Sequence, residues 1–227
     1  MPDDAGFDPV VFDLDGTLVD TVELITASFR YATRTVLGEV LPDAVITAGV
    51  GQPLMVQMER LSAEHAQELY DVYREYNHRR HDELIRGYDG VAEVLAALRA
   101  AGRRLGVVTS KSRDTTAMAF RAVGLREHFD VVVTASDTEE HKPSPEPLRL
   151  CLERFGAAPE GALYVGDSPV DIEAGRAAGM ATAAVAWGVF GPEALLAAAP
   201  DFWLDEPAEL LDLCLRGDGR RVEGRRG

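Results

Sequence analysis

The sequence predicts an α/β fold, a doubly wound parallel sheet carrying an inserted block of helices after its first strand. Three observations predict it. Apolar runs of strand length alternate with Ala/Leu-rich stretches of helical period. The runs are near-continuous rather than alternating, the pattern of strands buried on both faces. One long interval, from Thr21 to about Tyr88, contains helical patterns and no convincing buried strand.

The first run is VVFDL at 10–14, and it ends in the acidic loop Asp13-Leu14-Asp15-Gly16-Thr17. The interval that follows reads as TVELITASFRYATRTVLG, PLMVQMERL and SAEHAQELYDVYREYNHRRHDELI, with Ser62 placed to cap the last of these. The Met and aromatic residues at 55, 58, 70, 73 and 76 are expected to pack its interior, and NHRRHD at 77–82 to form a polar helix face. After it come helix VAEVLAALRAAG, strand RLGVVTS at 104–110, helix TTAMAFRAVG and strand VVVTAS at 131–136. Helix PEPLRLCLERFG, strands ALYVGD at 162–167 and TAAVAW at 182–187, and a weaker strand DFWLD at 201–205 complete the pattern. The division expected is a core at 1–20 and 87–216, helices at 21–86, and a flexible tail at 217–227. Linkers near 18–22 and 84–90 would let the inserted helices open and close over a ligand.

Composition narrows the function. Hydrophobic residues make up 46% and charged residues 27%, near the averages for soluble globular chains, and no apolar run approaches the roughly 20 residues of a membrane span. MPDDAGFDP lacks the basic and apolar segments of a secretory signal, so the expected location is cytoplasmic. Cys151 and Cys214, far apart, are expected to be reduced. A formal net charge of −15 repels phosphate backbones, which argues against nucleic-acid and membrane partners. A small anion remains acceptable where a metal and a few cations reverse the field.

In parallel sheets, ligands bind beyond the carboxyl ends of the strands. The residues there are Asp13 and Asp15, then Thr109-Ser110-Lys111, then His141-Lys142-Pro143, then Gly166-Asp167-Ser168 with Asp171 following. Carboxylates brought together from separate strands repel one another unless a cation joins them. All-oxygen ligands, with no Cys or His at metal spacing, favour a hard cation, Mg²⁺ above all. Lys142 and the amides of the Gly-containing loops would draw a phosphate. Asp13 is then placed to attack phosphorus and bind the metal, and Asp15 to protonate the leaving oxygen and later activate water. Taken singly these signals are weak: Asp15-Gly16 also reads as a turn, Thr109 as a strand-end cap and Asp171 as a helix-start charge.

Together, DLDGTLVD, VVTSK, HKPSPEP and GDSPVDI resemble the four motifs of the haloacid dehalogenase superfamily, in order and over nearly the whole chain. The resemblance implies a Rossmann-like core with an all-helical cap inserted after the first motif. It implies a Mg²⁺-dependent phosphatase working through an aspartyl-phosphate on Asp13, with Asp15 as acid/base and a carbonyl ligand to the metal. Thr109 would hold a phosphoryl oxygen, Lys142 would offset charge, and Asp167 and Asp171 would complete the metal site. Gly16, Ser110, Lys111 and, from the loop GVGQPL, Gln52 are candidates to contact substrate. The presence of Asp15 speaks against dehalogenation. The absence of any Lys from Met1 through Ser110 leaves phosphonate cleavage without its Schiff-base lysine, and Ile25 stands where sugar-phosphate mutases carry histidine. YREYNHRRHDEL, VAWGVFG and PDFWLDEPAELL are similar to the phosphoglycolate phosphatase and bacterial pyrophosphatase subgroup, although GVGQPL departs from it. The expectation is a monomer or homodimer hydrolysing a small-molecule phosphate monoester. Alternatives are an inorganic pyrophosphatase of the same superfamily, a phosphotransferase or mutase, and a non-catalytic protein that binds a phosphorylated ligand.

Overall fold

The structure, a computed structural model, describes residues 6–222. In chain order its elements are β1 (Val10–Phe12), β2 (Val19–Asp20), α1 (Val22–Leu37), α2 (Asp43–Thr47), α3 (Leu54–Leu61), α4 (Ala66–Leu84) and β3 (Arg86–Gly87). There follow α5 (Val91–Ala100), β4 (Leu105–Val108), α6 (Arg113–Val123), β5 (Val131–Val133), α7 (Glu146–Phe155), β6 (Leu163–Gly166) and α8 (Pro169–Ala177). The chain closes with β7 (Ala181–Val185), α9 (Pro192–Ala197), β8 (Phe202–Leu204), α10 (Glu209–Arg216) and β9 (Arg220–Arg221).

The main sheet runs β5-β4-β1-β6-β7-β8-β9, and every pair is parallel except β8 with β9. Its apolar runs are continuous because both faces are covered. Val10 and Phe12 point to one side, where Val94, Leu95 and Leu98 of α5, Phe120 of α6 and Leu213 of α10 meet them. Val11 points to the other, against Leu148 and Leu152 of α7 and Ala174 of α8. Strand β1 lies between β4 and β6, so chain order reverses beside it. A crevice opens at the carboxyl ends at such a reversal, and Asp13 follows directly.

The four helices between β2 and β3 form a cap with its own interior of Phe29, Ala32, Ile46, Met58, Leu69 and Tyr73. Strands β2 and β3 pair antiparallel, Val19 with Gly87 and Asp20 with Arg86, so the two connections to the cap lie side by side. Neither two-residue strand was legible in the sequence. Other departures are local. Ser62 ends α3 rather than capping the next helix, and α4 starts four residues later at Ala66. Residues 220–221, expected in a flexible tail, instead pair with β8, while 223–227 lie outside the described residues. Among the described residues no helix is long and apolar enough to cross a membrane, and both cysteines are free and buried.

Candidate active site

The site begins with a tight loop. The Asp13 amide donates to the Val165 carbonyl at 2.9 Å, so the residue is still held by the sheet although its side chain has reached the strand's end. The chain then folds back, with the Leu18 and Val19 amides both donating to the Leu14 carbonyl at 3.0 Å. Gly16 makes the turn with φ +77°, and a Cβ there would fall 2.1 Å from Asp167 Oδ2. Its amide, expected to face substrate, donates instead to the Val19 carbonyl at 2.9 Å. Gly16 therefore serves the site by letting the loop pass against Asp167.

Behind Asp13 lies a buried charge cluster. The Lys142 ammonium, 3% exposed, donates to Asp13 Oδ1 at 2.8 Å, Asp171 Oδ1 at 2.6 Å and the Tyr164 hydroxyl at 3.0 Å. The second oxygen of Asp171 accepts the Ser168 amide at 3.1 Å and the Ser168 hydroxyl, which ties the carboxylate to the start of α8. Asp167 accepts the Val189 amide at 2.8 Å on Oδ2 and the Thr17 hydroxyl at 3.4 Å on Oδ1. Gly188 permits this approach, since a Cβ there would lie 2.2 Å from that of Asp167. Trp187 donates its indole N–H to the Thr17 carbonyl at 3.1 Å and braces the same loop.

Asp13, Asp167 and Asp171 each offer an oxygen, all within 4.8 Å of one another. Three buried carboxylates thus gather where one ammonium, that of Lys142, pairs with two of them, Asp13 and Asp171. Burial drives Asp13 up to about 7 against the pull of Lys142, with Asp171 and Asp15 adding to the rise. Burial likewise lifts Asp167 well above the ordinary carboxylate range, and Asp171 and Asp13 push the same way. Lys142 is held charged: burial opposes the charge, but Asp13 and Asp171 outweigh it. Excess negative charge on oxygen donors at this spacing fits a hard divalent cation.

In front of Asp13 is a cavity of about 290 Å³ between core and cap. The core contributes Asp13, Asp15, Thr109, Ser110 and Lys111, and the cap contributes Gln52, Arg74 and Asn77 among others. Asp15 Oδ1 receives the Thr21 hydroxyl at 2.6 Å and the Lys111 ammonium at 2.9 Å. Thr109 accepts the Lys111 amide at 3.2 Å, which leaves its own proton to donate. Ser110 donates to the Gly51 carbonyl of the cap at 2.7 Å, so it latches cap to core. Gln52 lines the cavity with Oε1 buried and unpartnered.

The structure thus joins Asp13, Lys142, Asp167 and Asp171 in one cluster and sets Asp15, Thr109, Ser110, Lys111 and Gln52 around the cavity. Sequence reasoning missed Tyr164, Thr17, Thr21 and Arg74. Met58 and Tyr73 lie in the cap interior and Met55 and Tyr70 pack against it as expected, while Met55, Tyr70 and Tyr73 also line the cavity and Tyr76 stacks on Tyr31 at 4.5 Å. Within the expected polar face, Asn77 and His81 are buried.

Comparison with known proteins agrees with this geometry. The family model for haloacid dehalogenase-like hydrolases matches residues 10–185, from β1 through β7. The chain belongs to this family, and its relatives place it among the phosphatases there. Pyrophosphatase PpaX of Bacillus velezensis is 41% identical over 204 residues, 90% of this chain and 94% of that protein. Among solved structures, a haloacid dehalogenase-like family hydrolase from Streptococcus pneumoniae superposes with a TM-score of 0.80 at 27% identity, covering 90% of this chain and 97% of the other. A predicted phosphoglycolate phosphatase from Haemophilus somnus gives 0.81 at 27%, covering 91% and 97%.

Proposed function

We propose that the protein is a Mg²⁺-dependent phosphatase that hydrolyses a small-molecule phosphate monoester in two steps through Asp13. The observation that carries the reading is the cluster of Asp13, Asp167 and Asp171, two of whose carboxylates, Asp13 and Asp171, share the Lys142 ammonium, beside a cavity lined by Asp13, Asp15 and Thr109. The metal-holding residues would be Asp13, Asp167, Asp171 and the carbonyl of Asp15. A bound Mg²⁺ supplies the positive charge that lets Asp13 ionise and the phosphoryl oxygens approach it.

Asp13 Oδ attacks phosphorus while the bond from phosphorus to the ester oxygen breaks, and Asp15 delivers a proton to that oxygen as it leaves. The product of the first step is an aspartyl-phosphate and a free alcohol. Asp15 then takes a proton from water, the water attacks phosphorus, and Asp13 is released with inorganic phosphate. Thr109 donates to a phosphoryl oxygen, and Lys142, fixed by Asp171 and Tyr164, offsets charge on Asp13 throughout. Lys111 bridges Asp15 and the cavity, and Ser110 and Gln52 stand where the substrate is enclosed.

A second reading, inorganic pyrophosphate hydrolysis by the same steps, is favoured by the likeness to Pyrophosphatase PpaX. Phosphate release from pyrophosphate and from a panel of monoesters, with and without Mg²⁺ and with Asp13→Asn as the blank, tests both. Mg²⁺-dependent release abolished in Asp13→Asn, with an unchanged melting temperature, is expected. Turnover that survives Asp13→Asn would overturn the mechanism, and release confined to pyrophosphate would select the second reading.

A further inference from the structure

One face of α4 is not used by the chemistry above. Tyr70, Tyr73, Arg74 and Asn77 recur at helical spacing and all look into the cavity. Arg74, half-buried, places Nη1 3.2 Å from the Tyr70 hydroxyl, Nη2 3.3 Å from His78 Nε2, and its guanidinium 5.7 Å from the Tyr70 ring centre. No carboxylate among the described residues pairs with it. Its neighbours on the same helix show the ordinary alternative: Arg79 pairs with Glu75 at 3.6 Å and Arg80 with Glu83 at 2.8 Å. In a chain with 38 acidic residues against 23 basic ones, an arginine that lines the cavity and pairs with no carboxylate among the described residues is suited to bind an anion. The field of Arg74 is felt locally: burial, and after it Arg74, lowers the pKa of His78.

The remaining wall is apolar. Ile25, Phe29, Val50, Leu54 and Met55 border the same space. An inorganic ligand would leave those side chains against polar oxygens, whereas a short carbon chain covers them. The cavity that Asp13 lines is thus bordered by apolar side chains and by the Arg74 guanidinium.

We infer that Arg74, supported by Tyr70, binds a second anionic group on the leaving portion of the substrate, so that the preferred ester is a short organic phosphate ending in a carboxylate or phosphate. The inference rests on the phosphatase reading of this cavity and names which esters it selects. Arg74 acts on binding and takes no part in the bond that breaks.

Matched probes test it: butyl phosphate, its ω-carboxy counterpart, its ω-phospho counterpart and pyrophosphate. The wild-type protein is expected to favour the anionic-tailed esters over butyl phosphate by roughly ten- to a hundredfold in kcat/KM, carried by KM, the range for a hydrogen bond to a charged group. Arg74→Gln is expected to collapse that ratio towards one, and Arg74→Lys to restore part of it. Equilibrium binding of the same probes to Asp13→Asn, with and without Arg74→Gln, reads the subsite without turnover. A ratio that Arg74→Gln leaves intact, or no wild-type preference in either assay, overturns the inference and spares the phosphatase reading. Anion-selective binding that needs Arg74, with no phosphate released from any probe, keeps the subsite and overturns the phosphatase reading. Pyrophosphate turned over as well as the ω-phospho ester would overturn the role of the apolar wall. Preference for the ω-carboxy or the ω-phospho ester decides which anion the subsite takes.

Discussion

Replacing Lys142 with Met keeps the length of the side chain and removes the one buried cation of the cluster. The ammonium now stands 2.8 Å from Asp13 and 2.6 Å from Asp171, both carboxylates being almost fully buried. Breaking a buried ion pair from one side costs about 3–5 kcal/mol, because the partner's charge is left without compensation. A chain of this length loses roughly 2–4 °C of melting temperature per kcal/mol, so a drop of roughly 6–20 °C is expected. The loss has a signature in pH. In the wild-type protein without metal, burial has raised Asp13 to about 7 despite Lys142; without Lys142 it rises further. A carboxyl raised above its unfolded value of 3.8 contributes stability that is full below that value and lost as pH rises to the folded pKa. Wild type stops losing stability from this group near pH 7, while the variant continues to lose it above. Melting curves without metal at about pH 6 and about pH 9 should therefore show the larger deficit at the higher pH. A drop under about 2 °C at both, or a deficit that shrinks as pH rises, would refute the charge-compensation argument.

Burial pushes Cys151 and Cys214 up to about 12, so both thiols should resist a disulfide reagent at pH 8 in the native protein and react at once in denaturant; rapid native labelling would contradict this. Their folded pKa exceeds the unfolded 9.0, so they favour the folded state below that value and cease to as pH climbs towards 12. Burial works upward on Asp137, but the hydroxyl and amide of Thr134 and the guanidinium of Arg154 outweigh it and bring the carboxyl to about 2. Its contribution is present above about 3.8 and disappears as pH falls to about 2, so Asp137→Asn should show a lower melting temperature at neutral pH and a smaller further loss on acidification. Parallel acid titrations of the two proteins by circular dichroism would count against it.

Much of this was legible because strands covered on both faces must be apolar throughout, and because the topology delivers function to the residues that follow them. Asp13, Thr109, Lys142 and Asp167 were readable for that reason: each interrupts or follows an apolar run. The helical cap stood out as a break in the alternation. What escaped detection lacks such a signature. Strands β2, β3 and β9 span two residues each, too few for any period to show. Tyr164 lies inside an apolar strand and reads as core, yet its hydroxyl meets Lys142. Ser62 has the right residue type for a cap but turns towards His65, whose amide donates to its hydroxyl at 3.4 Å. Arg74 sits in a helix polar on most sides, where a residue facing a cavity and one facing water follow the same rule. The Gly16 amide was misjudged because the loop closes on itself, which spacing alone does not reveal.

The pairing of β2 with β3 sets how the cap is attached. Entry and exit leave the core as neighbouring rungs, so the sheet meets the whole insertion as it would a hairpin turn. The entropy of closing a loop grows only with the logarithm of its length, and lengthening or replacing what lies beyond Asp20 and Arg86 costs the core little. The cap, proposed to enclose the substrate, can thus vary with little effect on the core that carries Asp13, because the backbone enters and leaves it through the two paired connections β2 and β3.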